Sequence, residues 1–206
     1  MHTYRLLLFT LLLTSPLLAG AQSNKPTGGH FGVKVGASLN RLNVSGITPN
    51  IPKQSLAPNL GVMYRYRLQK FVIQPELILA EKGGNFQTIR IGAAGRDTKT
   101  NKYYYASVPV LLGYIPTEGV TLQAGPEFSY ALNSGSTNGP GSKNDLGIVA
   151  GVHYDFLDML DKFSLHIRYV YGLNNVSPEP LAVYKNRSFQ VSIVYNLYPK
   201  KKPVSR

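Results

Sequence analysis

The feature that most constrains this chain is a two-residue rhythm of apolar and small or polar residues, repeated in eight separate runs. In the first, Phe31, Val33, Val35, Ala37 and Leu39 share one face, and Gly32, Lys34, Gly36 and Ser38 share the other. The same alternation recurs over Leu60–Leu68, Phe71–Ala80, Tyr104–Tyr114, Val120–Tyr130, Leu146–Phe156, Phe163–Gly172 and Ser188–Leu197. Side chains of a strand point alternately to its two faces, so each run predicts a strand with two unlike sides. No helical periodicity competes with it. The runs also match the roughly 9–11 residues that a tilted strand needs to cross a bilayer.

The connections form a second pattern. They alternate long and short: Asn43–Ser55, Lys82–Asn101, Asn133–Asn144 and Asn174–Asn186 are long, whereas Gln69-Lys70, Ile115–Gly119 and Leu157–Lys162 are short. Outer-membrane barrels have short periplasmic turns and longer extracellular loops. Eight strands with both ends in the periplasm produce this order directly. The expected fold is an all-β, eight-stranded antiparallel up-and-down transmembrane β-barrel.

A soluble barrel also alternates, with its apolar face turned inward. The composition of the polar face separates the two cases. Here it is mostly Gly, Ser, Thr and Gln, and charged residues make up only 16% of the chain. Ordinary soluble domains carry about 25%. The apolar face carries no charge in any run, as expected where a charge at mid-bilayer costs roughly 2–4 kcal/mol. Aromatic residues gather at strand ends. Phe31, Tyr66, Phe71, Tyr114, Phe156, Phe163 and Tyr195 fall at one rim, and Tyr104, Phe128, Tyr130, Tyr169, Tyr171 and Phe189 at the other. These are the two interfacial girdles of a membrane barrel. Pro75, Pro109 and Pro126 lie within strands, where they predict bulges or missing ladder bonds.

The N-terminal segment is set apart. Met1–Arg5 is basic, Leu6–Leu18 is apolar, and Ala19-Gly20-Ala21 offers a small-residue cleavage site. This pattern predicts a secretory signal peptide over 1–21. A flexible lead-in over 22–29, a barrel over 30–198 and a basic tail over 199–206 follow. With no cysteine, the exported chain has no disulfide framework.

Inside such a barrel the polar face places Lys34, Arg65, Arg67, Glu76, Glu127, His153, Asp155, His166 and Arg168. Basic groups outnumber acidic ones in this set. Buried charges must be paired or hydrated, so Glu76 and Glu127 are the natural partners of the arginines. A salt-bridged plug is the first reading, and a narrow channel the second. A lipid hydrolase is a third: Ser129 or Ser164 with His153 or His166 and Glu127 would supply the residue types. No G-x-S-x-G motif accompanies them. No metal-ligand spacing or phosphate-binding loop is present, and no cofactor is expected.

The same residues resemble the PorT-like outer-membrane β-barrel proteins of Gram-negative bacteria. The resemblance is carried by Phe31–Gly36, Pro75-Glu76-Leu77 with Lys82-Gly83, and Val108-Pro109-Val110-Leu111-Leu112-Gly113-Tyr114. It continues through Ala124-Gly125-Pro126, Asp145-Leu146-Gly147, Tyr169-Val170-Tyr171-Gly172-Leu173 and the last run, Phe189–Leu197. It implies an integral barrel of the bacterial outer membrane and makes strand prolines ordinary at these places. Most members of that family have no assigned activity. The basic tail departs from members that end on an aromatic residue.

The formal net charge of +12 favours anionic partners. For an exported chain these are lipid headgroups or lipopolysaccharide phosphates, not nucleic acid. The expected role is structural or surface-interacting, with outer-membrane lipids as neighbours, the barrel-assembly machinery as a partner during insertion, and a monomeric state.

Overall fold

The computed structural model describes residues 27–89, 96–136, 139–156, 160 and 162–198. The expected signal peptide 1–21, most of the expected lead-in and the basic tail 199–206 lie outside them.

The strands are β1 (Gly28–Gly46), β2 (Ile51–Lys53), β3 (Ser55–Leu68), β4 (Phe71–Ile89), β5 (Arg96–Thr117), β6 (Val120–Ala131), β7 (Asn144–Asp155), β8 (Phe163–Gly172) and β9 (Ala182–Leu197). Leaving out the three-residue β2, each strand pairs antiparallel with the next. β1 then pairs with β9 from Phe31↔Leu197 to Gly46↔Ala182 and closes the ring. The molecule is an eight-stranded up-and-down barrel with no free edge at membrane depth. Closure pairs the first strand with the last, so no row of backbone groups is left open to hydrocarbon.

The two faces sort as the alternation requires. Outward Phe31 and Leu112 are 61% and 63% exposed, whereas inward Lys34 and Arg168 are 1% and 2% exposed. Rim aromatics meet in outward pairs: Phe71 with Tyr114 at 5.7 Å between ring centres and Phe163 with Tyr195 at 5.3 Å. The interior is narrow. A Cβ on Gly36 would run into the Val191 carbonyl, and one on Gly125 into that of Val110. The short turns use left-handed backbone, at Gln69 (φ 54°) and at Gly119 (φ 85°).

The prolines interrupt the ladder without shifting it. Pairing of β3 with β4 skips from Met63↔Glu76 to Tyr66↔Ile73, around Pro75. Pairing of β4 with β5 skips from Pro75↔Val110 to Ile78↔Ser107, opposite Pro109. Pairing of β5 with β6 skips from Pro109↔Glu127 to Leu112↔Ala124, around Pro126. The register shift in β5–β6 lies elsewhere, between Tyr114 and Thr117. Each proline removes a donor, and three neighbouring strands line these gaps up side by side.

The long connections differ from expectation. Much of Lys82–Asn101 is strand, not loop: β4 and β5 stay paired from Lys82↔Tyr103 to Ile89↔Arg96. β1 likewise continues through Gly46, and β9 begins at Ala182. β1 also starts at Gly28, inside the expected lead-in. The barrel wall therefore stands well above the apolar band.

Above that band the rhythm changes phase. On β1 the outward residues pass from Leu39 to Arg41, Asn43 and Ser45, and the inward ones from Asn40 to Leu42. On β4 the outward residues pass from Leu79 to Glu81, and buried Phe86 points in. Buried Leu42, Phe86, Tyr103, Tyr105, Ala131, Val176, Ala182 and Tyr184 form one apolar core. Water replaces lipid outside this part of the wall, so the apolar side chains turn inward.

Candidate functional site

The polar interior at membrane depth is the chemically richest part of the molecule. Its centre is Glu76 on β4. One carboxylate oxygen of Glu76 accepts from Lys34 Nζ at 3.0 Å and from Arg168 at 2.9 Å. The other accepts from the Gln74 amide at 2.7 Å. Lys34 also meets His166 Nδ1 at 3.0 Å, and Arg168 donates to Gln190 at 2.7 Å. Arg168 reaches on toward Glu127, 4.0 Å away.

Glu127 has a closer partner, on a stretch whose composition predicts a loop. Lys82 Nζ lies 2.7 Å from it and also donates to Ser129 at 2.9 Å. Both glutamates follow an outward-facing proline, Pro75 and Pro126, and flank the inward Pro109 of β5 across the sheet.

Toward the periplasm a third cluster gathers around Asp155. Arg65 stands 3.5 Å from it, His153 Nε2 3.1 Å, and the Ser164 hydroxyl donates to it at 2.7 Å. Arg67 is not inside. It lies at the rim and makes a two-pronged pair with Glu118 of the β5–β6 turn, at 2.9 and 3.0 Å.

The balance of charge differs from the expected basic excess. With Arg67 at the rim and Lys82 and Asp145 inside, the described interior holds four cations, Lys34, Arg65, Lys82 and Arg168, and four carboxylates, Glu76, Glu127, Asp145 and Asp155. The clear apolar-polar alternation of β4 ends at Ala80, so Lys82 does not stand out from it as an inward residue. Continuing it by two residues puts Lys82 on the same face as Glu76.

The residues named for a hydrolase do not assemble one. Ser129 sits among Lys82, Glu127 and Ser107, with no imidazole bonded to it. Ser164 and His153 both bond Asp155, so the carboxylate stands between hydroxyl and imidazole. A triad needs the imidazole in the middle. Among the described residues no group of three or more His, Cys, Asp or Glu is placed to hold a metal.

The extracellular mouth is closed by a different chemistry. The apolar core fills it, and Val176 of the β8–β9 connection caps that core. The Val176 amide donates to the Tyr184 carbonyl at 2.9 Å, and the Gly141 amide to the Val176 carbonyl at 3.0 Å. Asn50 ties the connection after β1 to Glu179 at 2.7 Å and to the Tyr184 hydroxyl at 3.2 Å. Burial raises the pKa of that hydroxyl above the usual phenol value, which keeps it a neutral partner.

A closed antiparallel ring, apolar outside and charged inside, is a membrane barrel. The sequence profile for an outer membrane protein β-barrel domain matches residues 20–177. The chain belongs to this family. This outer-membrane barrel accordingly resides in the bacterial outer membrane, with the short turns and both ends of the ring in the periplasm.

Solved barrels are similar to it at low identity. Ail of Yersinia pestis, crystallised with the heparin analogue sucrose octasulfate, is 15% identical. That match covers 82% of this chain and 99% of Ail, with a TM-score of 0.48. Neisserial surface protein A is 12% identical over 82% of this chain and 99% of its own, at 0.47. AlkL, solved in lipid bilayers, is 12% identical over 88% and 96%, at 0.42. No functionally curated protein matches the chain.

Proposed function

We infer that the barrel is a closed, non-conducting outer-membrane protein with a structural or surface-interaction role and no catalysis. One observation carries this reading: the lumen is filled twice, by the ion-paired cluster around Glu76 and by the apolar core capped by Val176. Paired charges locked in hydrogen bonds do not relay ions without breaking, and an apolar plug excludes water. The wall above the membrane, chiefly the β4–β5 hairpin, then offers the surface for outside contacts.

The reading takes outer-membrane lipids and lipopolysaccharide as neighbours, the barrel-assembly machinery as the insertion partner, and a monomer as the working unit. The PorT-like kinship drawn from Val108–Tyr114 and its companion motifs belongs to the same proposal. Planar-bilayer recording tests it. The purified barrel is expected to give no reproducible single-channel steps; regular steps would establish the narrow channel instead. Incubation with lipid A and phospholipids is expected to leave both unchanged.

A further inference from the structure

The outer wall carries a feature that neither filling explains. Arg41 on β1 and Arg187 on β9 are direct cross-strand partners, and both point outward. Like charges placed opposite each other on a sheet destabilise the pair, because their Cβ atoms lie only about 4.5–5.5 Å apart. Across the sheet on its other side Arg187 faces Tyr171, and Gln54 lines the surface beside Arg41. One step up the two strands, Asn43 faces Lys185, which adds a third cation. Among the described residues no ion pair is made by either arginine.

Arg187 is nevertheless held in place. Its guanidinium lies 3.5 Å from the Tyr171 ring centre and donates to the Gly172 carbonyl at 2.7 Å. Directly below the arginines, Leu39, Tyr169 and Phe189 line the apolar part of a groove of about 360 Å³ that Arg41 and Arg187 border. This is the height at which the outward face of β1 and β9 turns from apolar to polar. It is therefore the headgroup level of the extracellular leaflet.

We propose that this groove binds the phosphate and a proximal acyl chain of a phosphorylated glycolipid of the outer leaflet, the lipid A part of lipopolysaccharide. A phosphate between the two guanidiniums supplies the missing counter-charge through charge-assisted, two-pronged hydrogen bonds. The acyl chain lies along Leu39, Tyr169 and Phe189. A free inorganic phosphate would leave that apolar floor unused. The proposal rests on the outer-membrane reading above and names the lipid partner within it.

Native mass spectrometry of the detergent-purified full-length barrel tests it, with lipid A, dephosphorylated lipid A and phosphatidylglycerol in competition and inorganic phosphate added in a separate arm. The wild-type barrel is expected to retain lipid A over both other lipids, with inorganic phosphate failing to displace it. The R41Q/R187Q variant is expected to lose about tenfold or more of that affinity, from one or two charged hydrogen bonds. K102Q/K143Q, which removes two cations elsewhere, is expected to keep it. Heat-modifiable gel migration checks that each variant is folded. Equal retention of the dephosphorylated lipid or of phosphatidylglycerol would overturn the proposal without any variant. So would displacement by inorganic phosphate, or unchanged affinity in folded R41Q/R187Q. Conductance steps would remove the closed-barrel reading and leave the lipid result standing, so the two fail separately.

Discussion

The barrel has two interiors. At membrane depth it is mainly polar and charged, with Lys34 and Arg168 both bonded to Glu76 within 3.0 Å and a small apolar cluster of Leu111, Val149 and Val170. Above the membrane it is apolar, built on Leu42, Phe86, Tyr103 and Tyr184. The same strands run through both. What changes is the solvent outside the wall. Where lipid touches the outer face, burying apolar side chains inside gives little advantage, and the inner face takes mainly polar residues that complete each other's hydrogen bonds, with a few apolar ones such as Leu111, Val149 and Val170 between them. Where water touches it, the ordinary hydrophobic effect returns and turns the apolar residues inward. The plane of inversion marks the membrane surface on the wall itself.

The largest effect should come from breaking the charged interior. Replacing Glu76 by Ala leaves Lys34 and Arg168 buried without their shared carboxylate, a loss of about 3–5 kcal/mol. Urea unfolding followed by gel migration measures it, and an unchanged midpoint would show that the cluster is hydrated and weakly coupled. Phe86→Ala attacks the other interior. It is expected to cost about 3 kcal/mol, from the removed aromatic and the cavity left behind. That loss should be confined to the extracellular end, so protease should cut the β4–β5 hairpin while the membrane part keeps its heat-modifiable migration.

A paired change sharpens the contrast. Lys82 and Glu127 lie at the upper edge of the charged region, 2.7 Å apart. The double variant K82M/E127L removes both charges together and is expected to cost less than either single change, because neither member of the pair is left without its partner. A double-mutant cycle on unfolding midpoints reads the coupling. Smallest is Arg67→Gln, which loses the solvated rim pair with Glu118 and an exposed hydrogen bond to the Gln69 carbonyl, about 1 kcal/mol and weaker still in high salt.

Much of this was legible from the residues. The parity of Phe31–Leu39 and its seven counterparts determined the strands, their outward face and the membrane setting. The order of long and short connections determined the topology. The inward placement of Lys34, Arg65, Glu76, Glu127, His153, Asp155 and Arg168 follows from the same parity. The outward prolines also announced the gaps in the ladder.

The partners did not follow. Parity says which face a side chain occupies but not its height relative to residues on other strands, because that depends on the stagger fixed when β1 meets β9. Only closure brings Lys34, Glu76 and Arg168, distant in the chain, onto one carboxylate, and sends Arg67 down to Glu118 at the rim. Only the three-dimensional wall reveals that the rhythm continues past Leu39 and Leu79 with its phase reversed. A sequence window treats a phase reversal as the end of a strand, whereas the folded chain treats it as the edge of the membrane. The chain alone therefore determined that a barrel forms and which way it faces, and the tertiary structure decided which charges meet and how the tube is sealed.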